Sequence, residues 1–111
     1  MSRGTKAPFK SYEGAKPKDK HIRLTKSMLD NKNFKSLNSS SIVLYLYMKM
    51  WACGNEEFDY ALSLGENIMS RKTVINSIKE LISKGFIEKC AMYNKSHKPN
   101  RYALSNKWQY K

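Results

Sequence analysis

Residues 70–88, SRKTVINSIKELISKGFIE, constrain the fold more than any other stretch of the chain. Ser70 suits a helix N-cap, because its hydroxyl can accept a hydrogen bond from the amide of residue 72 or 73. The apolar residues that follow share one stripe when each residue is advanced by about 100°: Val74, Ile75, Ile78, Leu81 and Ile82. Gly85 then predicts the end of the helix, since glycine readily adopts the left-handed conformation. The stretch therefore predicts an amphipathic helix with one face in a core.

The opposite face of this predicted helix is polar and positively charged. It holds Arg71, Lys72, Thr73, Asn76, Lys79 and Ser83. An asparagine can pair with adenine through two hydrogen bonds, and hydroxyls at a helix start can bind a phosphate. The face is therefore a candidate DNA contact, although lysines on an exposed helix can also serve only to solubilise it.

The net charge favours an anionic partner. Lys and Arg number 21 against nine Asp and Glu, which gives +12. The candidates are nucleic acid, an anionic membrane and an acidic protein. The longest apolar run, residues 42–48, is far shorter than the ~20 residues of a membrane-spanning helix, and the N-terminus has no export signal. We therefore expect a cytoplasmic protein that does not use the membrane as a partner, with Cys53 and Cys90 buried and reduced; a disulfide between them is the alternative.

The chain divides into a tail and one domain. Residues 1–20 are predicted to be a flexible basic tail, either solvated or touching phosphates, and residues 21–111 the domain. Thr25 can cap a first helical turn. Residues 42–51 are apolar almost all round, which predicts a central helix that ends at Gly54. Its large side chains, Tyr45, Tyr47, Met48 and Trp51, are expected in the core, unless one face serves a second subunit in a homodimer.

The segments around the 70–88 helix complete the pattern. Residues 55–60 predict either a short strand or the approach to a helix, and residues 61–69 one short helix interrupted by Gly65. After Gly85 the apolar period becomes two, which predicts a strand over 86–94, a turn over 95–100 and a returning strand over 101–105. Lys95, Lys98 and Arg101 lie at or near the tip of this basic hairpin, or wing.

This order of elements, together with the sequence SRKTVINSIKELISKGFIEK, resembles the winged helix-turn-helix family of DNA-binding domains. The start of the family's sequence motif is matched by Ser70, Arg71, Lys72 and Thr73, and its Leu-x-x-x-Gly-Phe-Ile-Glu ending is matched by residues 81–88. Residues 21–108 look more narrowly like small replication-initiator or replisome-organiser proteins of Gram-positive phages and mobile elements. The resemblance implies a mainly α, α+β fold with a C-terminal β-hairpin wing.

The resemblance also implies a function and its residues. The helix from Ser70 would be the recognition helix in the major groove of double-stranded DNA, and the hairpin would meet phosphates or a minor groove. The DNA-binding residues it implies are Ser70, Arg71, Lys72, Thr73, Asn76, Lys79, Lys95, Lys98 and Arg101. The protein would regulate transcription or take part in the replication of a phage or mobile element.

Other functional classes have less support in the sequence. A winged helix can instead dock onto a replication or transcription protein, which would then have to be acidic. No catalytic arrangement, phosphate loop or cysteine–histidine cluster stands out, so we expect neither an enzyme nor a cofactor or metal site. The spatial arrangement of the basic residues separates the first two classes: one continuous face favours DNA, and scattered charges favour a protein partner.

Overall fold

The computed structural model of the protein describes residues 20–91 and 100–110. Within these ranges the chain forms helices and a three-stranded antiparallel sheet, an α+β arrangement as expected. The helices are α1 (Lys26–Asp30), α2 (Lys32–Lys35), α3 (Ser39–Ala52), α4 (Leu62–Gly65) and α5 (Arg71–Ser83). The strands are β1 (Glu57–Tyr60), β2 (Ile87–Ala91) and β3 (Asn100–Leu104), and a 3₁₀ turn, Lys107–Tyr110, follows β3. The predicted tail lies outside the described residues apart from residue 20.

Two short helices lead into α3. Thr25 caps α1 as predicted, since its side-chain oxygen accepts a hydrogen bond from the amide of Met28 at 3.1 Å. Asn31 caps α2 in the same way, through the amide of Asn33 at 2.8 Å. Such caps satisfy amides that the first turn of a helix leaves unpaired. Met28 and Phe34 are buried, so these helices cover one edge of the core.

Helix α3 is the long apolar helix that the sequence predicted, and it is covered on one side. Leu44, Tyr45 and Met48 are almost completely buried. The expectation that Tyr47 and Trp51 belong to the core is wrong, because their side chains are 52% and 54% exposed. The described residues pack α5 and β1 against α3 and leave the side that carries Tyr47 and Trp51 in contact with solvent.

The end of α3 differs in detail from the prediction. The helix stops at Ala52, and both Cys53 and Gly54 adopt positive φ angles, 53° and 86°. Cys53 and Cys90 are free thiols, as expected. The expectation that they are buried is wrong, since both are exposed: Cys53 lies in the turn after α3, and Cys90 on β2, an edge strand of the sheet.

The sheet has the order β1–β3–β2, so β3 pairs with β2, as the predicted hairpin requires, and also with β1. Of the two alternatives for residues 55–60, the structure shows the short strand, at residues 57–60. Phe58 and Tyr60 of β1 are buried and alternate with exposed Glu57 and Asp59. This alternation turns one face of the sheet to the core and the other to solvent. Between β2 and β3 the register shifts near Lys89.

Phe86, which immediately follows the α5 turn, is the centre of the aromatic core. Its ring contacts those of Phe34, Tyr45 and Trp108, with centroids 5.9, 5.5 and 5.8 Å away. Gly85 precedes it with φ 86°, and a Cβ there would lie 2.6 Å from the amide nitrogen of Trp108. Glycine therefore serves two purposes: it ends α5 and lets the C-terminal 3₁₀ turn pack against the start of β2.

Candidate nucleic-acid interface

The N-terminus of α5 is built as the sequence predicted. The Ser70 side-chain oxygen accepts a hydrogen bond from the amide of Thr73 at 3.2 Å, and the two hydroxyl oxygens lie 2.8 Å apart. Arg71 is exposed, with a guanidinium nitrogen 3.4 Å from the carboxylate of Glu66. An exposed pair of this length contributes little to stability. The guanidinium is therefore available to an anion that approaches the helix start.

The buried face of α5 follows the predicted stripe. Val74, Ile78 and Leu81 are buried and Ile75 and Ile82 partly buried. Contacts with α3 and α4 keep the helix in place.

Small residues let those neighbouring helices approach closely. Ser77 is 2% exposed and donates to the hydroxyl of Ser40 on α3 at 3.0 Å. A Cβ added to Gly65 of α4 would lie 2.8 Å from the Val74 methyl groups. The glycine that weakens α4 as an isolated helix is therefore required by its packing on α5.

The exposed face of α5 carries Lys72, Asn76 and Lys79, all solvent-accessible. Their spacing of four and three residues places them on one side of the helix, opposite the buried stripe. Within residues 20–91 and 100–110, none of these three side chains has a hydrogen-bond or ion-pair partner. The structure thus brings together two lysines and one asparagine with unused donors and, on the asparagine, an unused acceptor.

Glu80, the one acidic residue of α5, is directed away from this face. Its carboxylate accepts hydrogen bonds from the amide of Asn38, at 3.1 Å, and from the hydroxyl of Ser41. Asn38 is the N-cap of α3 and makes no side-chain cap bond itself. The N-terminus of α3 is therefore capped by a carboxylate from another helix and not by the side chain of its own N-cap residue. A negative charge there also complements the positive end of the α3 dipole.

Further basic residues lie near the C-terminal end of α5. Lys84 donates from its Nζ to the hydroxyl of Ser36, at the end of α2. Lys32 and Lys35 of α2 are exposed and make no ion pair with a described residue. No local sequence pattern indicates that these α2 lysines lie near α5, since α2 reaches α5 only through tertiary packing.

Arg101 occupies a different environment from the α5 lysines. It lies on the solvent face of the sheet, where its guanidinium binds Asp59 at 2.9 Å and Glu57 at 3.2 Å. These hydrogen bonds, with that of Asp59 the larger, raise the pKa of Arg101 further above its ordinary value. The free positive charge of α5 therefore does not extend to Arg101 in the described part of the hairpin. Lys95 and Lys98 lie outside the described residues.

The described residues contain no group of three or more His, Cys, Asp or Glu side chains that could hold a metal ion. None of the described helices has the length and apolar character needed to cross a bilayer. No protein-family model, curated protein or solved structure matches the chain.

Proposed function

We propose that the protein binds double-stranded DNA as a winged helix-turn-helix domain, with α5 as the recognition helix and the β2–β3 hairpin as the wing. The observation that carries this proposal is the exposed face of α5, where the side chains of Lys72, Asn76 and Lys79 have no intramolecular partner among the described residues. The order α3, β1, α4, α5, β2, β3 supports it, because winged-helix domains arrange their helices and strands in that order.

The dimensions of α5 suit the major groove. Its 13 residues make a helix about 20 Å long, and the groove is roughly 12 Å wide and admits a helix. Asn76 lies between the two lysines, so an asparagine that contacts an adenine edge would be flanked by lysines that reach phosphates. Ser70, Arg71 and Thr73 at the helix start would contact the DNA backbone.

The position of Glu80 also supports the proposal. A carboxylate on the exposed face would repel the phosphates on either side of the groove. Glu80 instead binds Asn38 and Ser41 of another segment, which leaves the face positively charged. In the cell this activity would serve transcriptional regulation or the replication of a phage or mobile element, since both require a domain that recognises a duplex.

The experiment begins with selection from a randomised duplex pool, followed by fluorescence anisotropy on the enriched sequence over a range of salt concentrations. Asn76→Ala should remove about 1–3 kcal/mol of discrimination at one base pair. Lys72→Ala should weaken binding to every duplex and reduce the slope of log K against log salt by about 0.9. Lys98→Ala should do the same if the wing meets phosphates.

The matched control is Lys26→Ala. Lys26 pairs with Asp30 on α1, and its substitution removes one positive charge as Lys72→Ala does. Equal losses for the two lysine variants would show that net charge alone drives binding and would refute the assignment of α5. An Asn76→Ala variant that discriminates among duplexes as the parent does would refute base contact. Absence of duplex binding would favour an acidic protein as the partner of α5.

A further inference from the structure

The solvent face of α3 carries an apolar stripe that the proposed DNA contact does not use. Val43, Tyr47, Met50 and Trp51 are 41%, 52%, 38% and 54% exposed. Residues at i, i+4, i+7 and i+8 share one side of a helix. Single exposed apolar residues are ordinary on a protein surface, whereas a contiguous stripe of four large ones indicates an interaction surface.

The stripe is free of charge in a strongly basic chain. Between Ser39 and Asn55 the only charged residue is Lys49. Its Nζ lies over the ring of Tyr45, 5.5 Å from the centroid, so Lys49 is on the side of α3 away from the stripe. A nucleic acid or an acidic protein would find no charge to bind on the stripe. An apolar surface is the partner that its chemistry fits.

Trp51 is held in position before any partner arrives. Its indole nitrogen donates to the backbone carbonyl of Asp59 at 2.7 Å, and its ring meets that of Tyr60 edge-on at 6.3 Å. An exposed aromatic side chain that is already immobilised loses little conformational entropy on association. Tryptophan and tyrosine anchors of this kind supply much of the affinity of protein interfaces.

We infer that the α3 stripe is the contact between two copies of this chain, in which α3 of one copy crosses α3 of the other about a two-fold axis. A second copy presents the same uncharged apolar stripe, and a two-fold contact joins a surface to itself. Because α5 packs on the buried side of α3 and directs its lysines away from α3, the lysine faces of the two copies stay apart. The contact between the two copies does not depend on DNA binding.

The area of the stripe sets the strength of this contact. A half-exposed tyrosine or tryptophan offers about 100 Å², so the four side chains together offer roughly 400 Å², the size of the largest apolar patch on a typical monomer, which is often functional. A standard interface buries about 800 Å² per partner. The stripe and its polar surroundings therefore suit a weak, reversible dimer.

The test is sedimentation equilibrium of the full chain, without DNA, up to several hundred micromolar. The parent should form a dimer, and more of it at high salt, because salt screens the repulsion between two chains of +12. The tryptophan emission should shift to shorter wavelength with concentration. That shift reports on Trp51, since Trp108 is already buried.

Two double variants locate the contact. Val43→Lys with Met50→Lys should weaken the dimer at least about tenfold, because like charges then face each other across the axis. Leu29→Lys with Ile68→Lys adds the same charge at exposed apolar positions off the stripe and should dimerise as the parent does. Circular dichroism confirms that both variants are folded.

Each of the following outcomes would overturn the inference. A parent that is monomeric at every concentration and salt condition has no self-contact. A stripe variant that dimerises as the parent does places the contact elsewhere. Equal weakening by the two double variants attributes the effect to charge. If the stripe variant does not fold, the concentration-dependent emission of Trp51 in the parent decides, and no shift excludes a contact at the stripe.

Discussion

Glu80 offers the sharpest test of how the candidate interface is supported. Its carboxylate binds the first free amide of α3, at Asn38, and the hydroxyl of Ser41, which is completely buried. Glu80→Ala should therefore destabilise the whole domain, although the residue is on the helix that we propose contacts DNA.

The magnitude follows from the groups that lose their partner. Loss of a helix cap costs about 1 kcal/mol. A buried hydroxyl without an acceptor costs about 1–2 kcal/mol, and loss of the charge near the α3 N-terminus about 0.5 kcal/mol. The Lys84 ion pair, at 4.0 Å, adds little. We expect the free energy of unfolding to fall by about 3 kcal/mol.

Urea denaturation followed by far-UV circular dichroism measures this loss. With an m value of about 1.5 kcal/mol per M, the midpoint should fall by about 2 M. Glu80→Gln keeps an acceptor oxygen and should lose about half as much as the alanine variant. Glu66→Ala is the control, because this carboxylate makes only an exposed pair with Arg71, and it should cost under about 0.5 kcal/mol.

A double-mutant cycle with Ser41→Ala isolates the side-chain contact. The coupling free energy between Glu80 and Ser41 should be at least about 0.5 kcal/mol. A Glu80→Ala variant as stable as the control, or a coupling of zero, would refute the capping argument. The DNA affinity of the folded variant gives a second check. If the carboxylate faced the DNA, its removal would strengthen binding; because it faces α3, its removal should leave the affinity nearly unchanged.

Three further predictions concern the core. Burial raises the pKa of Tyr45 to about 12, so between pH 10 and 12 the folded state keeps the phenol proton while the unfolded chain loses it. The free energy of unfolding should therefore be unaffected by Tyr45 below pH 10 and fall between pH 10 and 12, by up to about 1.4 kcal/mol per pH unit. Tyr45→Phe should reduce that slope in urea titrations at alkaline pH. Gly65→Ala should lower the free energy of unfolding by about 1–3 kcal/mol, because the new methyl group meets Val74, and a more stable variant would contradict the close packing of α4 on α5. Gly85→Ala should lower the thermal midpoint more than Gly65→Ala does, since its Cβ would meet the backbone at Trp108 and its φ is positive. A smaller fall in the midpoint than for Gly65→Ala would contradict the close approach at Gly85.

The α5 segment was predictable because its determinants are local. The cap at Ser70, the stop at Gly85 and the apolar stripe between them depend on residues at most four positions apart. The same holds for the cap at Thr25 and for the change to period two after Gly85. Lys72, Asn76 and Lys79 were assigned to one exposed face by helix geometry alone, and the structure shows them there.

Features that depend on distant segments could not be predicted. Glu80 caps a helix whose residues lie 39 and 42 positions earlier, and Arg101 binds Asp59 42 positions earlier. Neither pair has a signature in local spacing. Partners that are distant in sequence, as Asp59 is for Arg101, decide whether a charged side chain is neutralised within the protein or can bind a ligand.

The limits of α5 and its polar face follow from local sequence, because the helix period and the caps depend on residues close together in the chain. The covered side of the apolar α3, in contrast, depends on how distant segments pack against it. Tyr45 and Tyr47 differ by two positions, yet one is buried and the other half-exposed. A helix that is apolar all round carries no information about where its neighbours pack, since burial depends on the elements that surround it.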